Sequence, residues 1–577
     1  MFKKILAVFA ALAIVVAGVP AAQAAGSLTQ TDKDGVANYV ESQNLQLVQI
    51  SDTLTVALWP ERANSGYSYK SAVVSPDGLL GQAIEFGTSS DLDMDSNMKF
   101  AVSPNGLLSV VYKYSRDDGN NSKTSSLRVV FTDDGVNWSA PIMTLPIESS
   151  DSYCGPMFHS GCGYEAKGLI YDNLGHLVLL ATLARDNEDS SMMAATSVDG
   201  VVWSNPTTLQ TAQMQMEWSE IFGSDCIRLT ATLKGAIASW CNYNAVNGSQ
   251  QLWSARMPDS SHPFWLAPVN DSNSDAGTWV EGMQLFKTSN GDVVRTFWQE
   301  SGSQPVLKLM TWSNVARTWS APSIVYTAPS SWIQTSASTS NGKLNAIAWV
   351  ETSNGSDDVL RALVFNDGVA GTVSTLRAAV GDGAGNTALF ALSVSPDQTV
   401  SAAIWNYSIR QAVLLEKAPG ADTVSTSIPL DLSYNYQAAL AEDSKGNLTM
   451  ISHWVADQGP DQTLVTYQKA RASAPMPAGA LKVAGKAKLK AKLTASTVAF
   501  KSISGASAAA YQWYSCTKVV KKAPTTAPKT CKAIKGATKA QYVVNKADAK
   551  KFLLVAASSS NVLGKKTVFS ASTAVVK

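Results

Sequence analysis

Between about residue 45 and residue 470 one phrase keeps returning: a short apolar run, a turn containing Gly, then a second apolar run that often ends in an aromatic residue. It occurs as "FAVSPNGLLSVVYKY", "LIYDNLGHLVLLATL", "RLTATLKGAIASWCNY", "LFKTSNGDVVRTFWQE", "STSNGKLNAIAWVE", "LSVSPDQTVSAAIWNY" and "LAEDSKGNLTMISHWV". A period of roughly 50 residues demands a repeat architecture, because one such unit cannot bury its apolar face alone and must stack on a neighbour. The runs have strand length, alternate, and are rich in Val, Ile, Trp and Tyr, while Asn-Gly and Asp-Gly are hairpin turns. Each unit therefore predicts a four-stranded sheet, with the second built from "KFAVS", "LLSVVYKYS", "SLRVVFT" and "APIMTL".

Aromatic residues at 59, 112, 240, 298, 349, 405 and 454 hold one phase of this phrase, with Thr182 filling the gap in the third unit. Together with a first unit at "LVQISDTLTVALWPE" and "KSAVVSPDGLLGQAIEF", that makes eight. Eight sheets close radially as a β-propeller, which leaves only short protected edges. The fold expected over residues 45–470 is an all-β propeller of about eight units, with six or seven blades as alternatives should boundary units be miscounted.

"TDDGVNW" and "SVDGVVW" join the third and fourth strands of units two and three. They resemble the Asp-box of sialidases and other BNR-repeat propellers, one residue shorter between Asp and Gly. The role this implies is structural: Asp134 and Asp199 bond turn amides, Gly135 and Gly200 supply backbone angles other residues avoid, and Trp138 and Trp203 pack between sheets. Sialidase activity, as the resemblance implies it, needs three arginines on a carboxylate, a Tyr–Glu nucleophile and an acid/base Asp. Arg62, Arg116 and Arg185 follow the second strands of the first three units, with Glu61, Tyr114, Asp117 and Glu220 on candidate loops. A guanidinium fork suits a carboxylate. The plainer account makes these arginines solvated partners of the acids in "PERAN", "SRDDGNN" and "ARDNED", and no N-terminal R-I-P motif is present.

Loops joining strands two to three and successive units share one propeller face. They are acidic and interleaved with aromatics, including Trp218, Tyr243 and Trp279. Acceptors beside flat rings suit a sugar. "DLDMDSN" spaces Asp91, Asp93 and Asp95 as calcium ligands, but Ser96 and Val102 stand where an EF-hand loop has Gly and Glu. No cofactor is otherwise required, and the four histidines are too dispersed for a metal site.

Residues 1–24 read as a signal peptide: Lys3 and Lys4, an apolar run from Ile5 to about Val19, and an A-x-A site ending at Ala24. Residues 25–44 form an N-terminal lead. Export permits disulfides, and nearest-neighbour pairing would join Cys154 with Cys162, Cys226 with Cys241 and Cys516 with Cys531, one of 15 connectivities. From Ser473 to Lys577 there are 19 Lys, no Arg and one acid, leaving 27 basic and 44 acidic residues of the chain's 46 and 45 before it. The linker 471–480, "RASAPMPAGA", marks the change.

Residues 481–577, with "YQWYSC", a second Cys and "IKGAT", resemble the immunoglobulin-like modules of secreted actinobacterial proteins. That resemblance implies a β-sandwich with Trp513 as core aromatic, stapled by Cys516 and Cys531. Its lysines could hold the protein near anionic envelope polymer. The expectation is a secreted protein, extracellular or noncovalently at the cell surface, monomeric, with no nucleic-acid partner and no membrane span; the sequence itself does not reveal the oligomeric state. It binds a glycan or cell-surface partner through the acidic face; glycoside hydrolysis of exo-sialidase type is the alternative, and a structural surface component a further one.

Overall fold

The computed structural model describes residues 29–36 and 45–577 apart from 64–65, 91–97, 120–121, 147, 152–162, 185–189, 213–225, 245–248, 262, 272–278, 302–303, 330–331, 342, 354–356, 378–386, 397, 407–410, 420–423, 428–434, 444–445, 456–461, 470–475, 502–507 and 562–563. Two compact units emerge, one spanning 27–469 and the other containing 470–577.

The larger unit is a β-propeller of eight antiparallel sheets taken up in chain order. Their first strands are Gln46–Ser51, Met98–Val102, Gly163–Tyr171, Arg228–Ala231, Trp279–Lys287, Trp332–Asn341, Thr387–Val394 and Asn435–Glu442, and we number the blades one to eight accordingly. Each pair of neighbouring blades shares an apolar core. Between blades 1 and 2 it holds Val56, Tyr69, Met98 and Val110; between blades 5 and 6, Phe286, Trp298, Trp349 and Phe365. The series ends where blade 8 meets blade 1, with Ile451 and Leu464 against Leu47, Ala57 and Trp59. Eight interfaces for eight sheets close the ring.

Closure uses a strand from the far end of the chain. Blade 8 has only three strands of its own, and its third, Gln462–Lys469, pairs with Thr29–Val36. Thr29–Val36, within the stretch 25–44 expected as an N-terminal lead, thus supplies the outer strand of blade 8. An uncovered edge would expose a row of unpaired amides and carbonyls, and this pairing covers it while tying the two ends of the ring together.

The aromatic markers at 59, 112, 240, 298, 349 and 405 are buried, but they do not share one orientation. Trp59, Tyr112, Trp240 and Trp349 join the core with the preceding blade, whereas Trp298 and Trp405 join the core with the following one. A one-residue offset on a strand reverses the face. Trp298 and Trp349 therefore meet across the interface between blades 5 and 6, edge to face with centroids 5.3 Å apart. The interface between blades 4 and 5 is instead partly ionic: fully buried Arg295 pairs with Asp271 at 2.8 Å, donates to Ser239 Oγ at 2.7 Å, and lies 4.1 Å from the centroid of Trp319.

The smaller unit is a two-layer β-sandwich. One main sheet holds Val483–Ala484, Lys492–Ala495 and Gln541–Val543, and the other holds Ala510–Cys516, Cys531–Ala533, Phe552–Asn561 and Gly564–Phe569; a further two-stranded sheet pairs Met476–Ala478, within the stretch 471–480 expected as a linker, with Ala499–Lys501. Leu493, Trp513, Tyr542, Leu553 and Val555 form their common core. Asp548 is buried, accepts from Tyr542 Oη at 2.7 Å and from the Asn545 amide at 3.0 Å, and so braces the turn of its short 3-10 helix. Cys516–Cys531 and, in blade 4, Cys226–Cys241 are disulfides; Cys154 and Cys162 lie outside the described residues. No helix among the described residues is long and apolar enough to cross a membrane.

Candidate functional site

The two D-G-x-x-W turns are structural. Asp134 Oδ1 accepts from the amides of Val136 and Asn137, both at 2.8 Å, and Oδ2 from Asn137 Nδ2 at 2.6 Å. Those donors, the Asn137 amide foremost, hold its carboxyl far below the usual carboxylate range. Asp199 accepts from Val201 and Val202 in the same way and is likewise lowered. Gly135 and Gly200 have φ of 74° and 76°, and a Cβ on either would strike a side chain of the preceding blade, Val56 or Phe131. Trp138 reaches blade 1, donating to Ser71 Oγ at 2.9 Å and stacking on Phe86 at 4.5 Å.

Because the strands of each blade, apart from the outer strand of blade 8, form a simple meander, these turns and the first-to-second strand hairpins occupy one face, and the remaining connections occupy the other. The expected ligand face is the second. Every connection there contains residues outside the described set, among them Arg185, Trp218, Glu220 and Asp91, Asp93 and Asp95. Among the described residues no cluster of three or more His, Cys, Asp or Glu is arranged to hold a metal.

Arg62 and Arg116 are exposed at the loop-face ends of the second strands of neighbouring blades, opposite Tyr67 and Thr124. Asp117, Tyr243 and Trp279 occupy strand positions at the same end, paired with Lys123, Gln250 and Glu300. Glu61 is buried and ion-paired with Lys70, and Tyr114 has the Arg128 guanidinium 3.4 Å from its ring centroid. These two side chains, expected to meet ligand, already have partners within their own blades.

The same satisfaction holds for other loop-face acids. Glu165 pairs with Lys167 at 2.7 Å. Glu351, buried, accepts from Trp349 Nε1 at 2.9 Å and from Arg361 Nε at 3.2 Å. Its negative charge and the burial of the phenol push Tyr326 up to about 12, burial being the larger cause.

Blade 5 differs. Glu281, three residues into the first strand, has its carboxyl pushed up to about 7, chiefly by burial and secondly by the negative charge of Glu300. Pairing of Trp279 with Glu300 and of Glu281 with Trp298 makes the two acids diagonal neighbours on one face of the sheet, with backbones roughly 7–8 Å apart for such a pair. A β-bulge follows at once: the register skips a residue between Glu281 and Gln284, and Gly282 takes φ 60°. Bulges re-aim side chains and recur beside functional sites. No cation pairs with either acid among the described residues. An acid that protonates near neutrality beside a second acid can donate and accept hydrogen bonds, and can exchange a proton with a bound molecule.

In the sequence Glu281 falls in the acidic loop-face stretch "VNDSNSDAGTWVEG" and is not distinguished there from the other acids; the Gly directly after it was the available signal. On the other face, His176 Nδ1 lies 3.1 Å from Ser260 Oγ and 3.5 Å from Asp172 Oδ2. Both partners use the same ring nitrogen, so this trio braces a hairpin and forms no nucleophilic relay.

No protein-family model and no curated protein matches the chain. Among solved structures it is similar to the β-propeller domain of the Trilobed protease from Pyrococcus furiosus (8% identity, 68% of this chain and 97% of that one, TM-score 0.38). It is also similar to an ulvan lyase bound to a glucuronate–sulfated rhamnose unit (12%, 70% and 96%, 0.39) and to an α-L-arabinanase of Penicillium chrysogenum complexed with arabinobiose (11%, 77% and 97%, 0.35). The propeller assignment rests on the sheet topology given above.

Proposed function

We propose that this protein binds an extracellular glycan on the loop face of the propeller, with Glu281 and Glu300 at the base of the site. The observation that carries the reading is the carboxyl of Glu281, held near neutrality, unpaired with any cation among the described residues and set by a bulge at the mouth of blade 5. A sugar presents hydroxyls that both donate and accept, and a Glu281 carboxyl that gains its proton near neutrality meets both demands. The loop-face connections are acidic and interleaved with aromatics in sequence, a composition that suits sugar hydroxyls and ring faces. The leader-like N-terminus and the two disulfides support an oxidising, exported setting. On the sequence resemblances, we read the propeller as sialidase-like and the Lys-rich sandwich as an immunoglobulin-like module that holds it near envelope polymer.

The test is binding of the full chain to an immobilised panel of neutral and acidic glycans, beside Glu281→Ala. The reading expects a defined set of glycans bound by the wild type and lost in the variant. Identical profiles for the two proteins overturn it.

Glycoside hydrolysis is a second reading, favoured by one feature: an acid protonating near neutrality beside another carboxylate is the arrangement that reaction uses. A fluorogenic glycoside panel, including a sialoside, decides it. Turnover abolished by Glu281→Gln supports hydrolysis; absence of turnover on every glycoside leaves binding alone. Arg62 and Arg116, with Arg185, are the residues we would replace next to test a sialic acid carboxylate clamp.

A further inference from the structure

On the opposite face, a groove of about 650 Å³ runs between blades 4 and 5, walled by Trp312, Trp319, Val269 and Pro322. It continues into a smaller recess beside Lys234, Arg256 and Arg317, whose lining contains no acid. Among the described residues none of these three cations is ion-paired. Asp271, the one acid among the described residues of the groove wall, is taken by Arg295 at 2.8 Å and by Ser254 Oγ.

The turn that carries Arg317 departs from its counterparts in blades 2 and 3. Ser313 to Trp319 aligns with Thr132 to Trp138 and Ser197 to Trp203, yet Val315 stands where those turns have Asp134 and Asp199, and Ala316 where they have Gly135 and Gly200. The caged anion is therefore gone. Ala316 does not take the left-handed conformation, which passes to Arg317 at φ 57°, a region that side-chain-bearing residues rarely enter. Two contacts hold it there: its amide donates to Ser313 O at 2.7 Å, and Arg256 Nη1, from blade 4, donates to its carbonyl at 3.0 Å. Arg256 in turn lies 5.0 Å from the centroid of Trp312. Strain maintained by a neighbouring blade is a mark of a shaped site.

We propose that this groove binds an acidic sugar unit, with its carboxylate on Arg256, Arg317 and Lys234 and its ring against the tryptophan wall. The chemistry selects that class. A neutral sugar leaves three cations without a partner, while a bare inorganic oxyanion leaves the apolar wall wet. Five N–H donors on each guanidinium remain enough for a fork on carboxylate after the single bond Arg256 makes. The site lies across the propeller from Glu281 and stands independently of the reading given for that face.

Isothermal titration of the full chain with sodium glucuronate, with glucose and sodium sulfate as comparators, tests it. Glucuronate should bind measurably, glucose should not, and sulfate should bind at least about tenfold more weakly. Exposed Arg317→Gln should weaken glucuronate about tenfold, the loss of one charge-assisted contact, as should Arg256→Gln. No heat with glucuronate, equal affinity for glucose or for sulfate, or an Arg317→Gln protein that binds as the wild type does would each overturn the proposal.

Discussion

Replacing Glu281 by Gln should stabilise the propeller, and only above a particular pH. The carboxyl moves from an ordinary 4.5 to about 7 in the fold. A raised carboxyl binds its proton more tightly folded than unfolded. Below about 4.5 both states are protonated and the group costs nothing; between the two values the unfolded chain ionises first, and the penalty on the fold grows; above about 7 it is complete. At 1.36 kcal/mol per pH unit the gap amounts to about 3 kcal/mol. Gln keeps the shape and removes the titration. Urea unfolding followed by tryptophan fluorescence reads the propeller, since every Trp but Trp513 lies there. At about pH 4 the variant should match the wild type closely, and at about pH 8 it should exceed it by up to about 3 kcal/mol. Glu300→Gln should yield only part of that gain, because it relieves the smaller cause. If wild type and Glu281→Gln show the same pH-dependence, the burial argument fails.

Trp349 is fully buried and touches both Trp298 and Tyr326, so Trp349→Ala should cost about 3–5 kcal/mol in the same unfolding assay. Trp349→Phe should cost less, the residue of the loss reflecting the indole donor taken from Glu351. Asp134→Ala should lower the melting temperature while leaving ligand binding intact. Its carboxyl is depressed, so its contribution is present at every pH above the unfolded value of 3.8 and is lost only in strong acid; the drop in melting temperature should therefore be equal at about pH 5 and about pH 8. Opening Cys516–Cys531 by serine replacement frees a loop of 15-residue separation and should cost the sandwich about 3 kcal/mol, read as a lower urea midpoint for that unit.

What the sequence discloses about the fold follows from local physics. Hairpin turns and alternation act within a few residues, so the eight sheets and the joints at Gly135 and Gly200 are readable directly. Long-range facts are not. "TQTDKDGV" carries no apolar alternation, and its identity as a strand depends on Gln462–Lys469, at the other end of the propeller. The facing of Trp298 toward the next blade depends on a one-residue offset that no composition reveals. The same limit governs the site. Arg62, Arg116 and Glu61 stand out by type and position, whereas the distinction of Glu281 lies in desolvation by surrounding strands and in a diagonal neighbour 19 positions away. Arg295 likewise looks like any strand cation until blade 4 closes over it with Ser239 and Asp271.

The functional account stands on the protonation of Glu281, and that is directly measurable. Selective carboxyl ¹³C labelling of glutamate in the full chain, with Glu281→Gln to assign its resonance, gives the titration midpoint by NMR. The account predicts a midpoint near 7 that falls part of the way toward ordinary values in Glu300→Gln. A midpoint at the ordinary glutamate value in the wild type contradicts it.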